Sequence, residues 1–144
     1  MHPHGKILIV DDDANSRDGL ASLLVGQGCA VATASDGRQA LEEFVRFQPD
    51  LVLLDVRMPN LDGLEVCRRL KAKPESRLTP VVLITAMGDT EDRVKGLEAG
   101  ADEFLGKPLE IGVLQARIRS LLDLKAYTDE LERGDRALRA GAKH

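Results

Sequence analysis

The sequence predicts an α/β fold: a doubly wound, five-stranded parallel sheet with five helices on its two faces, the last helix extended. Three observations point there. The strands read as short unbroken apolar runs, Ile7-Leu8-Ile9-Val10, Leu51-Val52-Leu53-Leu54 and Val81-Val82-Leu83-Ile84, as strands buried on both faces require. These runs alternate with helical segments through short links, which implies right-handed crossovers and helices on both sides of the sheet. Several runs end abruptly on a polar group, and a parallel sheet gathers such ends on one rim, where open α/β sheets bind ligands.

Lys6 to Val10 is the first strand and runs straight into Asp11-Asp12-Asp13. Leu20, Leu23 and Leu24 keep a helical spacing between Ser16 and Val25, and Gly26 and Gly28 stop that helix. Ala30 to Ala34 is a short second strand. Ser35-Asp36-Gly37 turns into the second helix, with Ala40, Leu41, Phe44 and Val45 as its inner face and Pro49 closing it. The central strand delivers Asp55 and is followed by Met58-Pro59, and Asp62-Gly63 leads into a third helix with Leu64, Val66, Cys67 and Leu70 inward. Lys73 to Thr79 is polar loop, and the fourth strand ends on Thr85. The fourth helix spans roughly Glu91 to Ala99, capped by Thr90 or Asp89, with Val94 and Leu97 inward and Gly100 as its stop. Glu103 to Gly106 is the fifth strand, Lys107-Pro108 follows, and a fifth helix begins near Glu110 with Leu114, Ile118, Leu121 and Leu122 inward.

A chain of 144 residues, 43% hydrophobic and 31% charged, suits one domain and a tail. Past Leu122 the apolar residues thin out and Gly134 and Gly141 interrupt a charged segment. The expected division is a disordered terminus over 1–5, a domain over 6–122 and a helical extension or linker over 123–144. His2 and His4 suggest a metal clip less well than they suit a disordered end. No apolar run approaches a membrane span, and Met1 to Gly5 lacks the apolar core of a signal peptide, so the expected location is cytoplasmic, without membrane attachment. Cys29 and Cys67 form no CxxC motif and read as reduced packing residues. A net charge of −4 argues against direct binding of nucleic acid.

The polar strand ends are Asp11 and Asp12, Asp55, Thr85 and Lys107. Carboxylates packed together repel, which raises at least one pKa unless a cation neutralises them. Mg²⁺ suits such a site, because it takes hard oxygen ligands and keeps several waters. A solvated acidic loop is the competing account, and it serves for Asp13 alone; Thr85 alone reads equally as a β-branched strand residue.

With these residues in place, the chain resembles a response-regulator receiver domain of bacterial two-component signalling. The resemblance covers about Lys6 to Leu122 and rests on Asp11-Asp12, Asp55 with Met58-Pro59 and Asp62-Gly63, Thr85-Ala86, Gly100-Ala101-Asp102, and Lys107-Pro108. It implies a flavodoxin-like strand order, 2-1-3-4-5, which periodicity alone does not supply. It also implies that Asp55 accepts a phosphoryl group from a sensor histidine kinase or phosphotransfer protein. Asp12, Asp55 and the backbone carbonyl of Arg57 would ligate Mg²⁺, with Asp11 acting largely through a bound water. Lys107 would pair with the phosphoryl oxygens, and Thr85 would hydrogen-bond them and draw the following loop inward. Phe104 would be the aromatic switch that turns inward with Thr85, and the Lys107-Pro108 bond would be cis. Arg57 and Met87 occupy the two variable positions flanking the site. The chain would be a signalling receiver catalysing only its own phosphorylation and dephosphorylation.

Receivers commonly signal through the face made by the fourth helix, fifth strand and fifth helix, which implies control of an output partner or domain and a homodimer through that face and the C-terminal helix. Arg93, Glu103 and Arg117 stand at matching positions of the dimer charge set, whereas Val113 stands where an acidic partner for Arg93 is expected. Beyond Leu122, the residues Leu121, Leu124, Thr128, Leu131 and Leu138 keep near-heptad spacing, as a coiled coil or a simple amphipathic overhang would. Ser120 to Glu132 resembles the linker of receivers that precede cyclic-di-nucleotide enzymes, so the expectation is a module of a larger regulator or a stand-alone receiver. Two other classes fit less well. A nucleotide-binding domain wants glycines where Asp11-Asp12-Asp13 stand, and a Mg²⁺-dependent phosphatase-like α/β domain wants a second acid where Arg57 stands.

Overall fold

The computed structural model describes residues 5–86 and 88–142, with backbone alone for 136–142. The expectations for residues 1–4, Met87 and the side chains of Leu138 and Gly141 lie outside the described residues. Strands β1 (Lys6–Val10), β2 (Ala30–Ala34), β3 (Leu51–Asp55), β4 (Val81–Ala86) and β5 (Glu103–Lys107) alternate with helices α1 (Ala14–Gly26), α2 (Gly37–Phe47), α3 (Gly63–Ala72), α4 (Thr90–Ala99) and α5 (Ile111–Ala142). All strand pairs are parallel, in the order β2-β1-β3-β4-β5, as the family resemblance implied.

Side-chain alternation along each strand divides the core between two faces. Leu8, Val10, Val52 and Leu54 join Phe44 of α2, Leu70 of α3 and Ala99 of α4 on one face. Ile7, Ile9, Leu51 and Leu53 join Leu24 of α1 and Leu114 and Ile118 of α5 on the other. Every residue of β3 is buried, so its polar last residue is buried with it. Cys29 and Cys67 are free thiols.

Helix starts follow local chemistry. Asp13, Asp36, Asp62 and Asp89 each accept a backbone N–H from the first turn, capping α1, α2, α3 and α4. Asp13 starts α1 two residues earlier than the apolar spacing indicates. Asp102 of the Gly-Ala-Asp motif has a structural role: its carboxylate accepts the Val81 N–H at 2.8 Å and the Lys71 ammonium at 2.7 Å, tying the start of β4 to α3.

Three residues expected inside lie outside. Val45 is 72% exposed, Val94 51% and Leu97 67%. In α4 the packed positions are Asp92, Gly96 and Ala99. Small residues bring α4 close to the sheet, and the ring of Phe104 occupies the space that a side chain at Gly96 would need. The bulky aliphatic residues of α4 are displaced to solvent.

Helix α5 continues through Gly134 without a break. Among the described residues, its exposed large apolar residues past Leu122 are Leu124, Tyr127 and Leu131. Thr128, expected in the seam, donates its hydroxyl to the Leu124 carbonyl of its own helix at 3.0 Å. Among the described residues, no helix is long and apolar enough to cross a membrane.

The turn after β3 is tight. A Cβ at Gly63 would collide with the Asp55 carbonyl oxygen, and the contacting atoms are backbone, which cannot rotate away. Gly63→Ala is expected to cost about 1–3 kcal/mol of stability through overpacking, read as a lower urea midpoint at unchanged slope.

Candidate functional site

Five strand ends converge because the sheet is parallel, and the register sets which residues face one another. Val10 pairs with Leu54, Asp55 with Ile84, Thr85 with Gly106, and Ala86 with Lys107. Asp11 and Asp12 therefore follow β1 beside the end of β3, and Lys107 ends β5 two strands from Asp55. One carboxylate oxygen from each of Asp11, Asp12 and Asp55 lies within 4.8 Å of the others. Asp11 and Asp55 are buried, and Asp12 is exposed.

The Asp55 side chain is 6% exposed. Its Oδ2 accepts from the Lys107 ammonium at 2.9 Å, and its Oδ1 accepts from the Arg57 backbone N–H at 3.3 Å. Burial would lower the Lys107 pKa, but the bond to Asp55 and the charges of Asp55, Asp11 and Asp12 outweigh it and hold the amine above its ordinary value. Asp11 is pushed above the usual carboxylate range, first by burial and also by the Asp55 charge, against the Asp13 backbone bond and the Lys107 charge. The Asp11 carboxylate also accepts the Asp13 N–H at 2.9 Å, which fixes its orientation at the start of the α1 loop.

Thr85 and Phe104 sit next to α4. The Thr85 side chain is buried and donates its hydroxyl to Asp92 Oδ2 over 3.4 Å. Phe104 is half-buried in β5 and packs on the core under α4. The Lys107-Pro108 peptide is cis. Arg57 reaches across the rim: its Nη2 lies 3.2 Å from Asp89 Oδ2 and 3.1 Å from Asp92 Oδ2.

Asp92 was missed in the sequence. It is 3% exposed, and burial raises its carboxyl pKa, with the Arg57 charge and the Thr85 bond pulling the other way. The available signal was the Asp89-x-x-Asp92 spacing at the start of α4, of which only Asp89 is picked out by sequence, as one of two candidate caps. Of the residues expected to form a dimer charge set, Arg117 lies 3.8 Å from Glu103 within the same chain, while Arg93, with Val113, lines a hollow that includes Leu105 and Pro108.

The geometry has relatives. A family model described as Response regulator receiver domain matches residues 7–119. The chain is 50% identical over 127 residues to Response regulator PleD of Caulobacter vibrioides, covering 88% of this chain and 28% of that protein. It is 47% identical over 117 residues to Response regulator MprA of Mycobacterium leprae, covering 81% and 50%. The chain thus spans half or less of the length of these curated relatives. A crystal structure of the signal receiver domain of a signal transduction histidine kinase from Syntrophus aciditrophicus superposes with a TM-score of 0.78 at 39% identity, covering 83% of this chain and 90% of that one.

Because the Lys107 charge holds the Asp11 pKa down, Lys107→Met is expected to raise it further while keeping the aliphatic stem. A ¹³C carboxyl titration without divalent metal reads this directly. An Asp11 midpoint that stays put or falls would contradict the charge balance described for the rim.

Proposed function

The chain belongs to the response regulator receiver domain family, and on that premise we propose that Asp55 accepts a phosphoryl group from a sensor histidine kinase or phosphotransfer protein, with Mg²⁺ bound beside it. The observation that carries this reading is a nearly inaccessible carboxylate held 2.9 Å from the Lys107 ammonium at the sheet rim. A transfer of this kind makes few covalent demands on the protein; it needs positioning and neutralisation of charge.

Asp55 is the nucleophile. An O–P bond to its carboxylate forms as the P–N bond of the donor phosphohistidine breaks, and the electron pair leaves with the imidazole, which takes up a proton. Lys107 meets the phosphoryl oxygens as a point charge. Thr85 donates its hydroxyl to one of them.

The donor set fits a hard divalent cation: carboxylate oxygens from three residues lie within 4.8 Å, and two of those residues are buried. Asp12, Asp55 and the Arg57 carbonyl would hold Mg²⁺, with Asp11 acting through a water. When bound, Mg²⁺ supplies positive charge against the phosphoryl oxygens and the attacking carboxylate. The chain's chemistry is its own phosphorylation and dephosphorylation.

The output surface is the face of α4, β5 and α5. A phosphoryl group adds roughly −1.5 to −2 of charge at neutral pH, and recruiting Thr85 to it opens space that Phe104 fills on turning inward. Such a change biases two packed arrangements rather than creating one. The exposed Val94 and Leu97 of α4 and the Leu124, Tyr127 and Leu131 stripe of α5 give the altered face apolar surface, which supports control of an output partner or domain and a homodimer that tightens on phosphorylation.

Acetyl phosphate with Mg²⁺ is expected to add one phosphoryl mass to the wild type and none to Asp55→Asn or to metal-free protein. A mass gain that survives either change removes Asp55 from the role. For the tail, sedimentation of phosphorylated and unmodified protein, with and without the residues after Leu122, is expected to show association rising only in the phosphorylated full chain. Equal association in all four samples would mean that the extension transmits nothing by dimerisation.

A further inference from the structure

The contacts of Thr85 lead away from Asp55. Its hydroxyl has one proton and donates it to Asp92 Oδ2, 3.4 Å away, between two residues that are 2% and 3% exposed. That bond is long and therefore weak. The acceptor has further partners. Arg57 Nη2 lies 3.1 Å from Asp92 Oδ2 and 3.3 Å from Oδ1, and the same nitrogen bonds Asp89 Oδ2 at 3.2 Å. Asp89 in turn accepts the Asp92 backbone N–H at 3.1 Å. One guanidinium, its side chain 73% exposed, thus bridges the first turn of α4 and the loop after β3, and the backbone N–H of Arg57 contacts Asp55 at 3.3 Å.

Resting on the reading of Asp55 as phosphoacceptor, we propose that Asp92 is a positioning residue: it competes with phosphorylated Asp55 for the Thr85 hydroxyl, with Arg57 holding it in place to do so. A hydroxyl donates one proton to one acceptor at a time. In the resting chain that acceptor is Asp92. A phosphoryl group brings oxygens of higher charge, which are the stronger acceptors, and taking the hydroxyl from Asp92 frees the first turn of α4 on one side. The release has a mechanical path to the switch, because Gly96, one turn along α4, lies against the Phe104 ring. The Asp92 carboxylate therefore sets how far the resting arrangement resists phosphorylation.

A double-mutant cycle on the full chain tests the competition. Affinity for beryllofluoride with Mg²⁺, a mimic of the aspartyl phosphate, is read by NMR for wild type, Asp92→Asn, Thr85→Val and the double variant. Asp92→Asn, whose uncharged amide oxygen is a weaker acceptor, is expected to tighten the apparent Kd by about threefold, the low end for one net hydrogen bond because the contact is long. In the Thr85→Val background the same substitution is expected to change it by less than about twofold, since no hydroxyl remains to be released. Asp92→Ala gives a second arm should the buried amide unsettle α4, with a thermal melt to verify folding. Equal tightening in both backgrounds overturns the proposal, because Asp92 would then act through helix stability alone; no tightening in either background overturns it as well. Failure of the wild type to bind beryllofluoride, with no mass gain from acetyl phosphate, overturns the phosphoacceptor reading beneath it instead.

Discussion

The ion pair between Lys107 and Asp55 is the constraint around which the rim is arranged. An acid at the end of a strand that is buried along its whole length has lost most of its water, and an unpaired charge there is strongly unfavourable. The counter-charge arrives from two strands away, carried by the register that sets Lys107 opposite Ala86 at the end of β4. The ammonium is itself only partly covered, with 43% of its side chain exposed. It neutralises Asp55 while remaining open to a ligand approaching from solvent. Asp11 and Asp12 add more negative charge than one lysine balances, which leaves the rim suited to a further cation.

Much of this was legible because strand endings are written directly in the chain. Leu51 to Leu54 followed by Asp55, and Val81 to Ile84 followed by Thr85, announce both a buried strand and the polar group it delivers. The parallel sheet does the rest, since its strand ends share one side. Strand order was legible only through family resemblance, because apolar runs of similar length carry no label for their neighbours.

Helix α4 shows where that reading fails. Its apolar residues Val94 and Leu97 suggested an inner face, yet the helix packs through Gly96 and Ala99 and leaves both aliphatic side chains outside. Hydrophobicity marks a core face only when bulk fills the gap; here closeness to Phe104 fills it, and glycine permits the closeness. Asp92 escaped notice for a related reason. An acid in the first turn of a helix is ordinary on macrodipole grounds, and its side-chain partners Thr85 and Arg57 are seven and thirty-five residues away.

An amide shift map before and after treatment with acetyl phosphate and Mg²⁺ tests the central claim most directly: that chemistry at Asp55 is coupled through the strand ends to α4 and β5. The account predicts large changes at Asp55, Thr85, Asp89 to Asp92, Phe104 and Lys107, falling off toward β2 and α2. Changes confined to Asp11, Asp12 and Asp13, with Thr85, α4 and Phe104 unmoved in fully phosphorylated protein, would contradict it.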